Sequence, residues 1–187
     1  MGSAVACARQ RLYECFPRTP FLATFFVVAF VASGCTEGDR QIDLAFSEIV
    51  RVENNYDVTT RASSRSPSLI IASRAEDVSQ FTNLVDVSDL DTLTSTDFSK
   101  EFLVLARLGN QSSARFSITV DRISRRGDTI SIRAVVGRPN PNMATETLET
   151  SPYHLVRVSK IGEWNDNFDF LLEIEGATVA SMTQYIP

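Results

Sequence analysis

Apolar residues fall at every second position through most of the chain beyond residue 41, which is the period of half-buried β-strands. Ile42, Leu44 and Phe46 follow this spacing. A short apolar run covers 68–72, Ser-Leu-Ile-Ile-Ala. The period then changes. Ser73 and Glu76 stand three apart, as in a capping box, and Val78, Phe81, Leu84 and Val85 follow at helical spacing, so one helix is predicted over about 74–84. Residues 102–108, Phe-Leu-Val-Leu-Ala-Arg-Leu, are nearly all apolar and suit a central strand covered on both faces, closed by Gly109 and Asn110. Phe116, Ile118 and Val120 alternate with Ser117, Thr119 and Asp121, and Ile130, Ile132, Ala134 and Val136 return after the turn Arg125-Arg126-Gly127-Asp128, predicting a hairpin over about 116–136. A loop from Gly137 to Pro152 carries prolines at 139, 141 and 152. Tyr153 to Val158 resumes extended structure. Phe168, Phe170, Leu172 and Ile174 form the last predicted strand, ended by Gly176. The expected fold class is α+β and β-rich: a mostly antiparallel sheet, barrel or sandwich-like, with one short helix.

The first 35 residues follow another logic. Arg9, Arg11 and Arg18 precede the uncharged, proline-free run Phe21–Ala32. A membrane-spanning helix needs about 17–25 apolar residues. This run is shorter and fits the apolar region of an export signal. Ala32-Ser33-Gly34-Cys35 follows it and resembles a bacterial lipobox, with Val31 one place upstream of the usual large aliphatic position. That resemblance implies cleavage after residue 34 and acylation of Cys35. The expected organisation is a signal peptide over 1–34, a short tether over 35–41 and a single domain over 42–187. The same resemblance implies a bacterial cell envelope and, if the cell is Gram-negative, the outer membrane over the inner, since Thr36 stands where aspartate in lipoproteins favours retention at the inner membrane. Cys7 and Cys15 fall inside the leader, so the mature chain keeps no cysteine pair for a disulfide and must rest on its core.

Roughly 150 residues beyond the leader suffice for one domain with a real core. The chain carries a formal net charge of −5, and removing an arginine-bearing leader makes the remainder more acidic still. Such a balance disfavours nucleic acid. Candidate chemistry is sparse. His154, in Ser151-Pro152-Tyr153-His154, is the single histidine, and no nucleophile-elbow motif surrounds any serine, so a Ser151–His154 triad is not expected. One histidine and no cysteine pair do not make a transition-metal site. Asp86, Asp89, Asp91 and Asp97 cluster, as do Asn165, Asp166, Asn167 and Asp169, but neither group has the spacing of a calcium loop, and both residue types are ordinary in turns. Neither metal nor cofactor is expected. Arg126-Gly127-Asp128 spells an adhesion tripeptide that turn chemistry alone explains. Arg122, Arg125, Arg126, Arg133 and Arg138 gather around the same hairpin as a solvated face guarding against edge pairing. Trp164, the only tryptophan, is an interface anchor if exposed.

Several blocks resemble one family. Asp97-Phe98-Ser99-Lys100-Glu101-Phe102, Leu108-Gly109, a strand opening at Phe116, Pro139-Asn140-Pro141 and Ser151-Pro152-Tyr153-His154-Leu155-Val156 are similar to the C-terminal domain of the protease complex subunit PrcB family. Phe46–Arg51 resembles the start of such domains, so the resemblance covers about 45–160. A Gly-Gly-Tyr-like turn of that family is replaced here by Asn110-Gln111-Ser112-Ser113-Ala114-Arg115. The resemblance implies an accessory, non-catalytic subunit of a bacterial surface protease complex.

The leading expectation is a non-enzymatic, lipid-anchored envelope protein that binds another envelope protein, such as a protease, with Tyr153, His154, Trp164 and Phe116 as candidate contact residues. A protease inhibitor acting through loops 110–115 and 139–152 is the alternative. A small-ligand or glycan-binding lipoprotein, with Trp164 and Tyr153 as stacking platforms, is the third reading.

Overall fold

In the computed structural model, residues 40–53, 64–82, 84–85, 87–140, 142 and 148–187 are described, with only the backbone at 87–90. The leader expected over 1–34, Cys35, Thr36 and most of the tether lie outside them, as do Asp86, the side chain of Asp89, Pro141 and residues 143–147. The described residues belong to one compact unit, Thr36–Pro187.

The strand predicted to be covered on both faces is Glu101–Arg107, and Phe102 through Arg107 are all buried. Numbered in chain order, it is β4 of the nine strands among the described residues: β1 (Ile42–Asp43), β2 (Phe46–Val52), β3 (Ser68–Ala72), β4, β5 (Ser117–Arg126), β6 (Thr129–Gly137), β7 (Tyr153–Ser159), β8 (Asp166–Ile174) and β9 (Ala177–Ile186). A four-stranded sheet has the order β2-β7-β4-β3, and a five-stranded sheet the order β1-β5-β6-β8-β9. Neither closes on itself, so the architecture is the sandwich of the two expected forms. Pairing is antiparallel throughout except between β6 and β8.

The alternation of β4 assigns its two faces. Phe102, Val104 and Ala106 join Val156 and Val158 of β7, Ile118 and Ile123 of β5, Ile130 and Ile132 of β6, and Phe168, Phe170 and Leu172 of β8 in the core between the sheets. Leu103 and Leu105 point the other way and pack with Leu155, Val78, Phe81 and Leu93. Those last three come from a short helical layer on the outer face of the four-stranded sheet. The result is sheet, sheet, helices, with an apolar core on each side of the middle layer.

Four local expectations need correction. Ile42, Leu44 and Phe46 do not share one strand. β1 pairs with β5 in the five-stranded sheet and β2 with β7 in the other, so the chain changes sheets at Leu44-Ala45, where the Leu44 N–H donates to the Ile123 carbonyl and the Ala45 carbonyl accepts from Ser159. The helix predicted over 74–84 is a 3₁₀ helix, Ala75–Phe81, and its cap is Asp77 rather than Glu76: one Asp77 carboxylate oxygen accepts from the N–H groups of Ser73 at 2.9 Å and Arg74 at 3.2 Å. A second helix, α1 (Val87–Thr94), was not expected. The chain also continues past Gly176 into β9, which forms a hairpin with β8 through Glu175 and Gly176, both at positive φ.

Gly109 closes β4 as expected, for a steric reason. Its φ is +80°, and a Cβ there would stand 2.6 Å from the Ser66 carbonyl oxygen.

Candidate functional site

β7 enters the middle sheet through Ser151-Pro152-Tyr153-His154, and successive side chains of that segment do different work. Tyr153 faces the helical layer and is 2 % exposed, part of the core with Leu103, Leu105 and Leu155. Its ring is enclosed by that core rather than open to solvent as a stacking platform. His154 faces the space between the sheets and is also 2 % exposed. Its surroundings follow from an irregularity in β5. The β5–β6 ladder slips between Val120 and Arg122, and the Val120 N–H donates to His154 Nδ1 at 2.8 Å.

That bond sets the ring chemistry. A backbone N–H can only donate, so Nδ1 is the unprotonated acceptor and the neutral ring carries its proton on Nε2. Nε2 then donates to Glu48 Oε2 of β2 at 2.9 Å. Burial pushes the His154 pKa below its ordinary value, and the Glu48 carboxylate only partly opposes this. Protonating Nδ1 would also break the Val120 bond. Ser151 is not the partner of this histidine; its hydroxyl accepts from Arg107 Nη2 at 3.1 Å. With both ring nitrogens engaged, His154 has none free to take a proton from a nucleophile. It clamps one sheet to the other.

Phe116 and Trp164 are partly buried hydrophobic residues packed against the inter-sheet core. The Trp164 ring lies 5.5 Å from that of Phe102 and 4.9 Å from that of Phe168, centroid to centroid. The Arg125 guanidinium covers both Trp164 and Phe168 at 4.6 Å and donates to the carbonyls of Gly127 and Glu163. The four candidate contact residues therefore do not converge on one surface. Two are buried on opposite faces of the same sheet, and two line the rim of the core.

The remaining polar candidates are also absorbed by the fold. Arg122 pairs with Asp43 at 2.8 Å, Arg133 grips Asp121 with two nitrogens, and Arg138 pairs with Glu175 at 2.6 Å. The Asp128 carbonyl, within the adhesion-like tripeptide, accepts from the Asp169 N–H of β8. The Asp166 carboxylate accepts from the Asn167 N–H, Asp169 accepts from the Thr183 hydroxyl, and Asn165 accepts from the Tyr185 hydroxyl. Among the described residues no group of three or more His, Cys, Asp or Glu side chains is placed to hold a metal ion. Asp97, Ser99 and Lys100 build the turn that launches β4. The Ser99 hydroxyl, followed by Lys100, holds the Asp97 carboxyl down to about 2. The rebuilt loop after Gly109 is stitched to the segment before β7: Gln111 and Thr150 exchange backbone hydrogen bonds at 2.7 and 3.0 Å, and the Thr150 hydroxyl donates to the Ser113 carbonyl. The described parts of the two loops expected to act in inhibition are thus bonded to each other.

Sequence reasoning missed one surface. β9 is the last strand of its sheet, and Ala177–Ile186 contains no charged residue and no proline. Its only irregularity is a bulge at Val179, where the ladder to β8 slips. The Tyr185 carbonyl accepts from the Ser73 hydroxyl across the sandwich edge, whereas the Ile186 carbonyl accepts from Asn165 at the start of β8. Backbone groups alternate direction along a strand, so those of Ser181 and Thr183 point away from the sheet. Natural edges are usually guarded by charge, proline or shortness. β1, with two residues, is short; β9 has none of these guards beyond Val179.

An open two-sheet sandwich with helices on one outer face, pinned internally by a neutral histidine, defines a β-rich α+β domain. Residues 102–159, from β4 to β7, match the family model described as PrcB C-terminal, so the resemblance seen in the sequence holds for this segment. The match is narrower than the 45–160 expected: Phe46–Arg51 and the Asp97–Glu101 turn fall outside it. No curated protein matches the chain, and no solved structure matches it.

Proposed function

We propose that this protein is a non-enzymatic accessory module, held at the bacterial cell envelope by lipid on Cys35, that binds a protein partner in the manner of a protease-complex subunit. The observation that carries the reading is the PrcB C-terminal match over 102–159. Two structural facts support it. The single histidine is committed to joining the sheets. The uncharged β9 edge offers outward backbone groups at Ser181 and Thr183, which suit an extended segment of a partner adding as a further strand.

The test is chemical crosslinking in the native host, followed by mass spectrometry, with wild type and Ser181→Pro. Proline at this position removes an outward donor and no ladder bond, so the domain stays folded. A specific envelope protein crosslinked to wild type and lost in Ser181→Pro is the expected result. Recovery of no specific protein, with the domain folded and at the envelope, contradicts the reading. Inhibition of purified proteases by the domain, or Trp164 fluorescence that responds to cell-wall fragments, would favour the alternatives.

A further inference from the structure

Arg107 is the one charged residue in the buried run of β4. It is 7 % exposed and lies in register between Ser68 of β3 and Tyr153 of β7. The only hydrogen-bond partner of its side chain among the described residues is neutral, the Ser151 hydroxyl of a residue 2 % exposed. No carboxylate among the described residues forms an ion pair with it, and burial alone pulls its pKa down. Among the described residues, the side-chain polar atoms sealed in the fold without a hydrogen-bond partner are Asn110 Oδ1, Arg157 Nε and Trp164 Nε1. The remaining Arg107 nitrogens are not among them, so its residual exposure is at the charged head. A guanidinium has five N–H donors in a planar fork, and here one is used. Burying such a charge with no counter-ion among the described residues is costly, and even buried ion pairs can often be replaced by apolar side chains at no loss of stability or with a gain. Shape and charge both specify the missing group. One isolated cation balances one negative charge, and the planar fork matches the two oxygens of a carboxylate.

We propose that Arg107 and Ser151 form a binding site for a carboxylate, which pairs with the free edge of the guanidinium. Two sources carry that chemistry: a small organic acid, or the chain end or acidic side chain of a bound protein. The site does not depend on the β9 edge or on lipid at Cys35, so it stands or falls apart from the proposed function.

The experiment is thermal unfolding of the full chain in detergent, in sodium acetate against sodium chloride at equal ionic strength. A parallel arm uses a short peptide with a free C-terminal carboxylate beside its amidated twin. The midpoint is expected to rise saturably with acetate, with the free-acid peptide, or with both. A rise with the peptide alone assigns the site to a protein chain end. Arg107→Met is expected to lose the rise and to unfold at a higher temperature than wild type in chloride. Ser151→Ala, which keeps the charge, is expected to shift saturation to higher concentration, and it serves as the variant arm if Arg107→Met does not fold. No saturable difference between acid and control in wild type, or an equal rise in the variants, would overturn the proposal.

Discussion

Replacing His154 with leucine leaves the buried Val120 N–H without an acceptor. An orphaned buried donor costs about 1–3 kcal/mol. For a domain of this size that is roughly 2–4 °C in midpoint per kcal/mol. Asparagine places a carbonyl oxygen near the position of Nδ1, so His154→Asn keeps the Val120 bond, loses only the partly exposed Glu48 contact, and should cost less than leucine. The pH dependence gives a second, independent reading. Because the folded-state pKa lies below the ordinary 6.5, the unfolded chain takes up a proton first as pH falls. The stabilisation held in the neutral ring is therefore complete above 6.5 and is lost as pH drops from there toward the folded value. One proton accounts for at most about 1.4 kcal/mol per pH unit. Urea unfolding followed by circular dichroism between about pH 8 and pH 5 measures both effects, and the difference between wild type and His154→Leu isolates the histidine from the carboxylates. Equal stability of the two proteins at the alkaline end, with parallel pH profiles, would refute the clamp.

Other outcomes follow from the same structure. Leu105→Ala, on the helical face of β4, should destabilise the domain by about 2–5 kcal/mol, as should a large-to-small core change on the inter-sheet face, because both sides of that strand are fully buried; denaturant midpoints test this. Gly109→Ala combines positive φ with a contact at 2.6 Å to the Ser66 carbonyl and should cost about 1–3 kcal/mol in the same assay. Asp77→Ala removes the acceptor for the Ser73 and Arg74 N–H groups and should cost about 1 kcal/mol, whereas Glu76→Ala should be nearly neutral. Cys35→Ala should abolish labelling by a clickable palmitate analogue and release the protein from the membrane fraction.

The parts of the fold that were legible are those in which local pattern and burial coincide. The unbroken apolar run of β4 announced a strand covered twice, and the 116–136 hairpin carried its own turn. β9 was missed because an edge strand buries little: Thr, Ser and Ala occupy places where large apolar residues would mark a core strand, and only Ile186 is fully buried. α1 was missed for a similar reason, since Val87–Thr94 is rich in Ser, Thr and Asp, which favour caps and turns. The division of Ile42–Phe46 between two sheets depends on partners far along the chain, Ser124 and Arg125 on one side and Val158 on the other. No local spacing records such a choice. At the site, sequence placed weight on His154 and Tyr153 as candidate contact residues, whereas long-range packing buries both. Arg107 did leave a signal, as a lone charge inside a strand predicted to be covered on both faces.

On the proposed reading, this domain works by engaging another protein of the envelope. In-cell crosslinking, with the site of each crosslink mapped by mass spectrometry, tests that engagement without an intermediate step. One recurrent protein partner is expected, with crosslinks near β9 that disappear in Ser181→Pro. A protein at the membrane that yields no recurrent crosslinked partner would contradict it.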